Sequence, residues 1–383
     1  MILFDYYYYI TTTIFIVKIK GYPLIVGTTD RTKKFHPLGL AICLTETHED
    51  FAFIFKSLKK TVQTVCNFDY RPTILIADGS AAITNGFKET FENLSHRVMC
   101  YAYVIRNIDK NMKLITNQLS RSKIKKDIDN MPLSANPDIF KESIRLFNIK
   151  WSEESVFLEY FRIEWVDQLD GWYEGYAIGI PSTNNGLEAV NLQVKSENTF
   201  GNRTPVGQFV EQVKQNIVHC WSVARDPANI NAKIYAHTPI YSLEDQTNAY
   251  HWLLKKKQVH VKTQTALKLN FVSSSSTRNI TKEDVENFMR ARAELNWDDL
   301  DSLFESESSI WCIVLDESDW TSGKCSCSYF SKHYKCKHLL GLSYRKKLPG
   351  ASISEAAKQI PLGQKRKRGA PTKAKGALVR QVN

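Results

Sequence analysis

The chain reads as an α/β protein in which a mixed sheet with crossover helices precedes a small ββα metal-binding module and a basic flexible tail. Three observations predict this. Strand-like runs of β-branched and aromatic residues alternate with helical periodicities over roughly the first 225 residues. Three thiols and two imidazoles crowd into residues 325–338. Residues 361–383 carry seven Lys or Arg and no acid.

The opening run Tyr6 to Ile19 is rich in Tyr, Thr, Ile and Val, which favour an extended chain. It lacks a basic leading region and a small-residue cleavage site, and Asp5 directly precedes it. A strand is therefore expected here rather than a signal peptide or membrane anchor. Further strands are expected at Tyr22–Gly27 and Pro37–Leu44, with the polar link Thr28 to Lys34 turning between them. Phe51, Ile54, Phe55, Leu58 and Val62 repeat at helical spacing, predicting a helix over 49–65.

A buried strand at Thr73–Ala77 then runs into Asp78-Gly79-Ser80, with helices over 81–91 and about 102–119 on either side of a short strand at 97–100. An acid directly after a buried strand lies at the carboxyl end of the sheet, where α/β folds build their sites. Residues 120–175 read as a helical insertion, and helices carrying Glu188 and spanning 207–223 close this region. The expected domains are 1–225, a helical and linker region at 226–300, the metal module at 301–347 and the tail at 348–383.

Within the metal module, Cys325-x-Cys327 and Cys336-x-His338 form two pairs separated by eight residues. A structural zinc ion takes four tetrahedral Cys or His ligands, and two close pairs can supply them. Trp311–Leu315 and the residues around Cys325 suit a hairpin, and the apolar run after His338 suits a helix. His333 is an alternative ligand, ranked lower because it breaks the paired spacing. The other five Cys are scattered singly, which fits a reducing compartment and not a disulfide framework.

Hydrophobic residues at 43% and aromatic residues at 11% are those of a folded chain. The net charge of +11 is concentrated at the end of the chain: residues 321–347 also carry seven cations and no acid. The basic end is therefore the expected polyanion-facing end. Lys365-Arg366-Lys367-Arg368 reads as a nuclear localisation signal or phosphate-binding patch. Its surroundings are similar to an AT-hook, with Ala370 where that element carries its second Arg.

The finger's ligand order resembles the SWIM-type zinc finger. Gly21-Tyr22-Pro23-Leu24, Phe35-His36-Pro37, Ile76-Ala77-Asp78-Gly79, Arg106 to Lys110 and Pro181 to Glu188 resemble a Mutator-like (MULE-type) transposase domain over about residues 10–225. That resemblance implies an RNase H-like fold in which Asp, Asp and Glu hold two Mg²⁺ ions about 3.5 to 4 Å apart. Asp78 matches the second Asp and Glu188 the Glu. Counting back from Gly21, the first Asp position falls on Thr11, a neutral hydroxyl, with Asp5 the only acid upstream. Tyr103 also stands where relatives carry the His of a Cys-x-x-His.

The resemblance implies a nuclear, zinc-binding protein of transposase origin, with DNA or chromatin partners, no membrane partner and impaired catalysis. The alternatives are an active Mg²⁺-dependent strand-transfer enzyme and a protein-interaction module.

Overall fold

A computed structural model describes residues 13–17, 23–43, 45–194, 205–226, 228–264, 267–275 and 277–359. Five strands come from the first hundred residues: β1 (Thr13–Val17), β2 (Pro23–Thr29), β3 (Phe35–Ile42), β4 (Ile74–Ala77) and β5 (His96–Met99). They form one mixed sheet in the order β3-β2-β1-β4-β5. β1 pairs antiparallel with β2 and parallel with β4, and Phe15 stands opposite Ile76.

Alternation along these strands divides the apolar residues between two faces. Leu24, Val26, Leu75 and Ala77 pack under helices α1 (His48–Cys66) and α2 (Ala81–Phe91), where Phe51, Phe55, Phe87 and Phe91 fill the layer. Ile25, Ile76 and Val98 face the other way, onto Leu187 of α7 (Asn185–Gln193) and onto Phe209 and Ile217. The last two belong to a helical run made of α8 (Val206–Gln212), a π-helical turn (Val213–Val218) and α9 (His219–Val223).

Between β5 and α7 lies a helical layer of α3 (Tyr101–Asn111), α4 (Arg121–Asn130), α5 (Pro137–Lys150) and α6 (Ser155–Arg162) around Phe147, Phe161, Trp165 and Trp172. The sequence predicts one helix to about residue 119, but α3 ends at Asn111 and a 3₁₀ turn follows. The cause is long-range. The buried carboxylate of Glu154 accepts the Thr116 and Asn117 amides at 2.7 and 3.1 Å, drawing them out of a helical path.

Residues 226–300 contain strands as well as helices. After α10 (Leu243–Leu254), β6 (His260–Gln264) and β7 (Leu267–Ser273) form a hairpin, followed by α11 (Lys282–Glu294) and α12 (Leu300–Ser309). β8 (Ile310–Val314) and β9 (Lys324–Cys325) complete a second, antiparallel sheet ordered β6-β7-β8-β9. The chain then forms α13 (Ser328–His333), α14 (Lys337–Arg345) and α15 (Glu355–Lys358). Trp297, Leu300 and Leu303 sit in the core of the insertion, and Lys150 bridges Asp127 and Asp301 at 3.0 and 2.9 Å. These contacts join the second sheet's module to the first. No described helix is long and apolar enough to cross a membrane.

Candidate metal centre

Cys325 ends β9, and the next residues leave the sheet at once. Cys327 is the N-cap of α13, its Sγ accepting the Phe330 amide at 3.4 Å. Cys336 caps α14 in the same way, accepting the Leu339 amide at 3.3 Å. Each sulfur thus takes a free N–H of the first turn, as a capping side chain does. His338 lies one residue inside α14, so a single helix start supplies both members of the second pair.

The four donor atoms lie within 4.8 Å of one another, and all four residues are buried. Cys325 Sγ is 3.8 Å from His338 Nδ1. Ligands bound at about 2.3 Å (S) and 2.0 to 2.1 Å (N) on a tetrahedral ion stand about 3.6 Å apart. The spacing and the donor chemistry therefore fit zinc. Burial pushes the Cys325 and Cys336 thiols up, while hydrogen bonds from both neighbours hold the Cys327 sulfur well below the ordinary thiol range. Among the described residues this is the one group of three or more His, Cys, Asp or Glu arranged to hold a metal ion. His333 stays outside it, exposed and resting on the Tyr329 ring at 4.4 Å.

The expected hairpin and helix are present, and the spacer between the ligand pairs adds a short helix, α13. Residues from α10 support the centre, and sequence reasoning missed them. The Trp252 ring packs nearly perpendicular to that of His338, with ring centres 5.7 Å apart. Asp245 accepts Lys335 Nζ at 2.6 Å and Tyr329 Oη at 3.0 Å. The signal was available: Ser242 and Asp245 form a capping box, which marks a helix start inside the stretch read only as a helical and linker region.

Gly341 brings α14 against α10, because a Cβ there would lie 2.7 Å from the Trp252 ring. Gly341→Val is therefore expected to destabilise the finger module by about 1–3 kcal/mol. Denaturant titration with zinc present measures this, and an unchanged midpoint would refute the close packing.

The acids singled out at the first sheet lie apart from this centre. Asp78 follows β4 and accepts the Ser80 amide at 3.1 Å, while the half-buried Arg97 guanidinium hydrogen-bonds its carbonyl. Burial pulls Arg97 down to about 10 against the opposing pull of Asp78. Glu188, in the first turn of α7, accepts Arg106 Nη2 at 3.2 Å. Tyr101 N donates to the Ser182 carbonyl at 2.8 Å, Cys100 Sγ contacts Asn184 Oδ1 at 2.9 Å, and Tyr103 covers Gly79. The segments bearing Asp78, Arg106 and Glu188 thus meet at the carboxyl end of β4.

The residues of β1 nearest that end are Phe15, Ile16 and Val17, and none is an acid. Asp5, Thr11, Gly21, Tyr22 and the cluster Lys365, Arg366, Lys367 and Arg368 lie outside the described residues.

The SWIM zinc-finger family profile matches residues 315–347, the segment that holds all four ligands. No curated protein matches the chain. The match and the buried Cys₃His geometry together make this segment a zinc-binding SWIM domain.

Proposed function

We propose that the protein is a zinc-binding SWIM-domain protein derived from a Mutator-like transposase, one that binds DNA or chromatin in the nucleus and has lost strand-transfer activity. The proposed organisation is an RNase H-like domain over 1–225, a connecting region to 300, the finger over 301–347 and a basic segment beyond 348. The observation that carries the reading is the meeting of three motif segments, around Asp78, Arg106 and Glu188, at the carboxyl end of a mixed sheet upstream of the finger. The sheet order, antiparallel on one side of β1 and parallel on the other, supports the RNase H-like assignment.

The zinc ion's role is structural: Cys325, Cys327, Cys336 and His338 would fill its four positions and leave none open for a substrate. Loss of catalysis is supported by three features. Glu188 is engaged by Arg106, Arg97 places a half-buried cation beside Asp78, and the described residues of β1 offer no carboxylate at that level. If Asp78 and Glu188 retain any Mg²⁺, they would do so as a pair without the third ligand.

The test is a duplex-DNA binding titration at several salt concentrations, alongside a cleavage assay with Mg²⁺. Salt-dependent binding that weakens on deleting residues 361–383, with no cleavage, is the expected result. Cleavage abolished by Asp78→Asn would overturn the catalytic part, and absence of DNA binding would overturn the DNA-binding part. Replacing Lys365 to Arg368 with Ala in a fluorescent fusion is expected to abolish nuclear accumulation.

A further inference from the structure

The spacer between the ligand pairs rests on the core. Lys33 Nζ donates to the Ser331 carbonyl near the carboxyl end of α13, where a helix favours a cation, and it also pairs with Glu174 at 3.5 Å. Both Lys33 and Glu174 side chains are 8% exposed, so this ion pair is sealed into the seam. Arg31 Nη1 donates to Tyr334 Oη at 3.1 Å, and its guanidinium lies 5.3 Å from the centre of that ring. The ring also lies 5.1 Å from that of Phe330 and against Gly179, where a Cβ would come within 2.9 Å of it.

The core side of this seam is the turn between β2 and β3, and it is built around Asp30. That carboxylate accepts the Thr32 amide at 2.8 Å, Thr32 Oγ1 at 2.7 Å and the Lys34 amide at 3.0 Å, and pairs with His36 Nε2 at 2.9 Å. The turn is thus fixed from within, and Arg31 and Lys33 are free to face the finger. On the finger side, α13 is held at both ends by metal ligands, Cys327 as its cap and Cys336 two residues after Tyr334.

We propose that the finger is a metal-dependent clamp on the core: zinc fixes the spacer helix, the fixed helix docks on the β2–β3 turn, and the two events strengthen each other. The inference rests on the zinc-binding finger and not on the transposase origin. Linkage then requires reciprocity. Breaking the dock must weaken zinc binding by the factor by which zinc loss weakens the dock. The clamp also reaches the acid-bearing loop, because Glu174 accepts Ser182 Oγ at 2.7 Å a few residues before Glu188.

The test uses the full chain with Arg31→Ala plus Lys33→Ala, which leaves every metal ligand and Asp30 in place. Zn²⁺ competition against a chromophoric chelator is expected to show zinc affinity reduced about 5- to 20-fold, within the usual range of coupling between sites. Hydrogen exchange is expected to show that chelating zinc from the unaltered chain deprotects amides 30–36 while amides 74–77 stay protected. Wild-type zinc affinity in the double variant, or an unchanged β2–β3 turn after chelation, would overturn the clamp. If the double variant also loses protection at 74–77, Tyr334→Phe decides. It removes only the hydroxyl that Arg31 meets, and a smaller fall in zinc affinity of the same sign is expected, whereas no fall overturns the proposal.

Discussion

Cys336→Ser is expected to abolish zinc binding and to melt the finger while leaving the five-stranded sheet folded. The sulfur is buried, caps α14 and supplies one of four ligands, so the serine keeps a helix cap but loses the metal. Structural zinc in small fingers contributes about 10–16 kcal/mol of apparent binding free energy, which is folding free energy when the site does not pre-exist. The apolar residues of this module, Trp252, Leu339, Leu340 and Leu342 among them, cluster around the ligands. Metal analysis should find no zinc retained per chain, and exchange should rise across α13 and α14. Retained zinc with intact protection would remove Cys336 from the ligand set. Acid should act in the same direction. The thiols bind metal as thiolates, and burial favours protonated Cys325 and Cys336 in the metal-free state. Falling pH therefore favours zinc release.

Asp30→Ala is the second large effect expected, and it originates in the core. The side chain is 1% exposed and accepts from Thr32 and Lys34 while contacting His36 and the Ala236 amide. Each buried donor left without a partner costs about 1–3 kcal/mol, so a total of about 3–5 kcal/mol is expected. Thermal unfolding of the core measures it. Burial alone would raise the Asp30 carboxyl, but hydrogen bonds from His36, Thr32 and Lys34 outweigh it and hold the group below its ordinary range. A depressed carboxylate contributes stability that is complete above the unfolded value of about 3.9 and is lost as pH falls through the lower folded value. Asp30→Asn should therefore flatten the acid limb of stability against pH below about 4. A limb of unchanged steepness would show that other carboxylates carry it.

The zinc ligands were legible because chemistry restricts them so tightly: four donor residues in two close pairs have few other uses. α2 was legible because Ser80 after a buried strand starts a helix, and it runs over Ala81–Phe91 as the periodicity indicates. What escaped depended on distant partners. β6 is the polar edge sequence HVKTQ, without the alternation that marks a strand, and β7 finds its other neighbour only at β8, some forty residues later. Glu154 shortens α3 from about forty residues further along the chain. Nothing in the composition of the turn at Arg31 and Lys33 separates a docking surface from a solvated one. Counting residues back from Gly21 points to Thr11, which lies outside the described residues, and only the pairing of Phe15 with Ile76 shows which residues of β1 reach the level of Asp78. Register is a property of the paired strands, and single-chain counting does not supply it.

The central place of β1 also sets the order in which the protein assembles. It is the first described strand to leave the ribosome, yet one of its neighbours, β4, is nearly sixty residues behind it. Until β4 is made, β1 has the hairpin partner β2 on one edge and an unpaired row of amides and carbonyls on the other. That edge is a template for wrong pairing, and closing it demands the slow, non-local step of parallel strand association. The nascent chain therefore carries that open edge between the synthesis of β1 and that of β4, long before the zinc ligands have been translated.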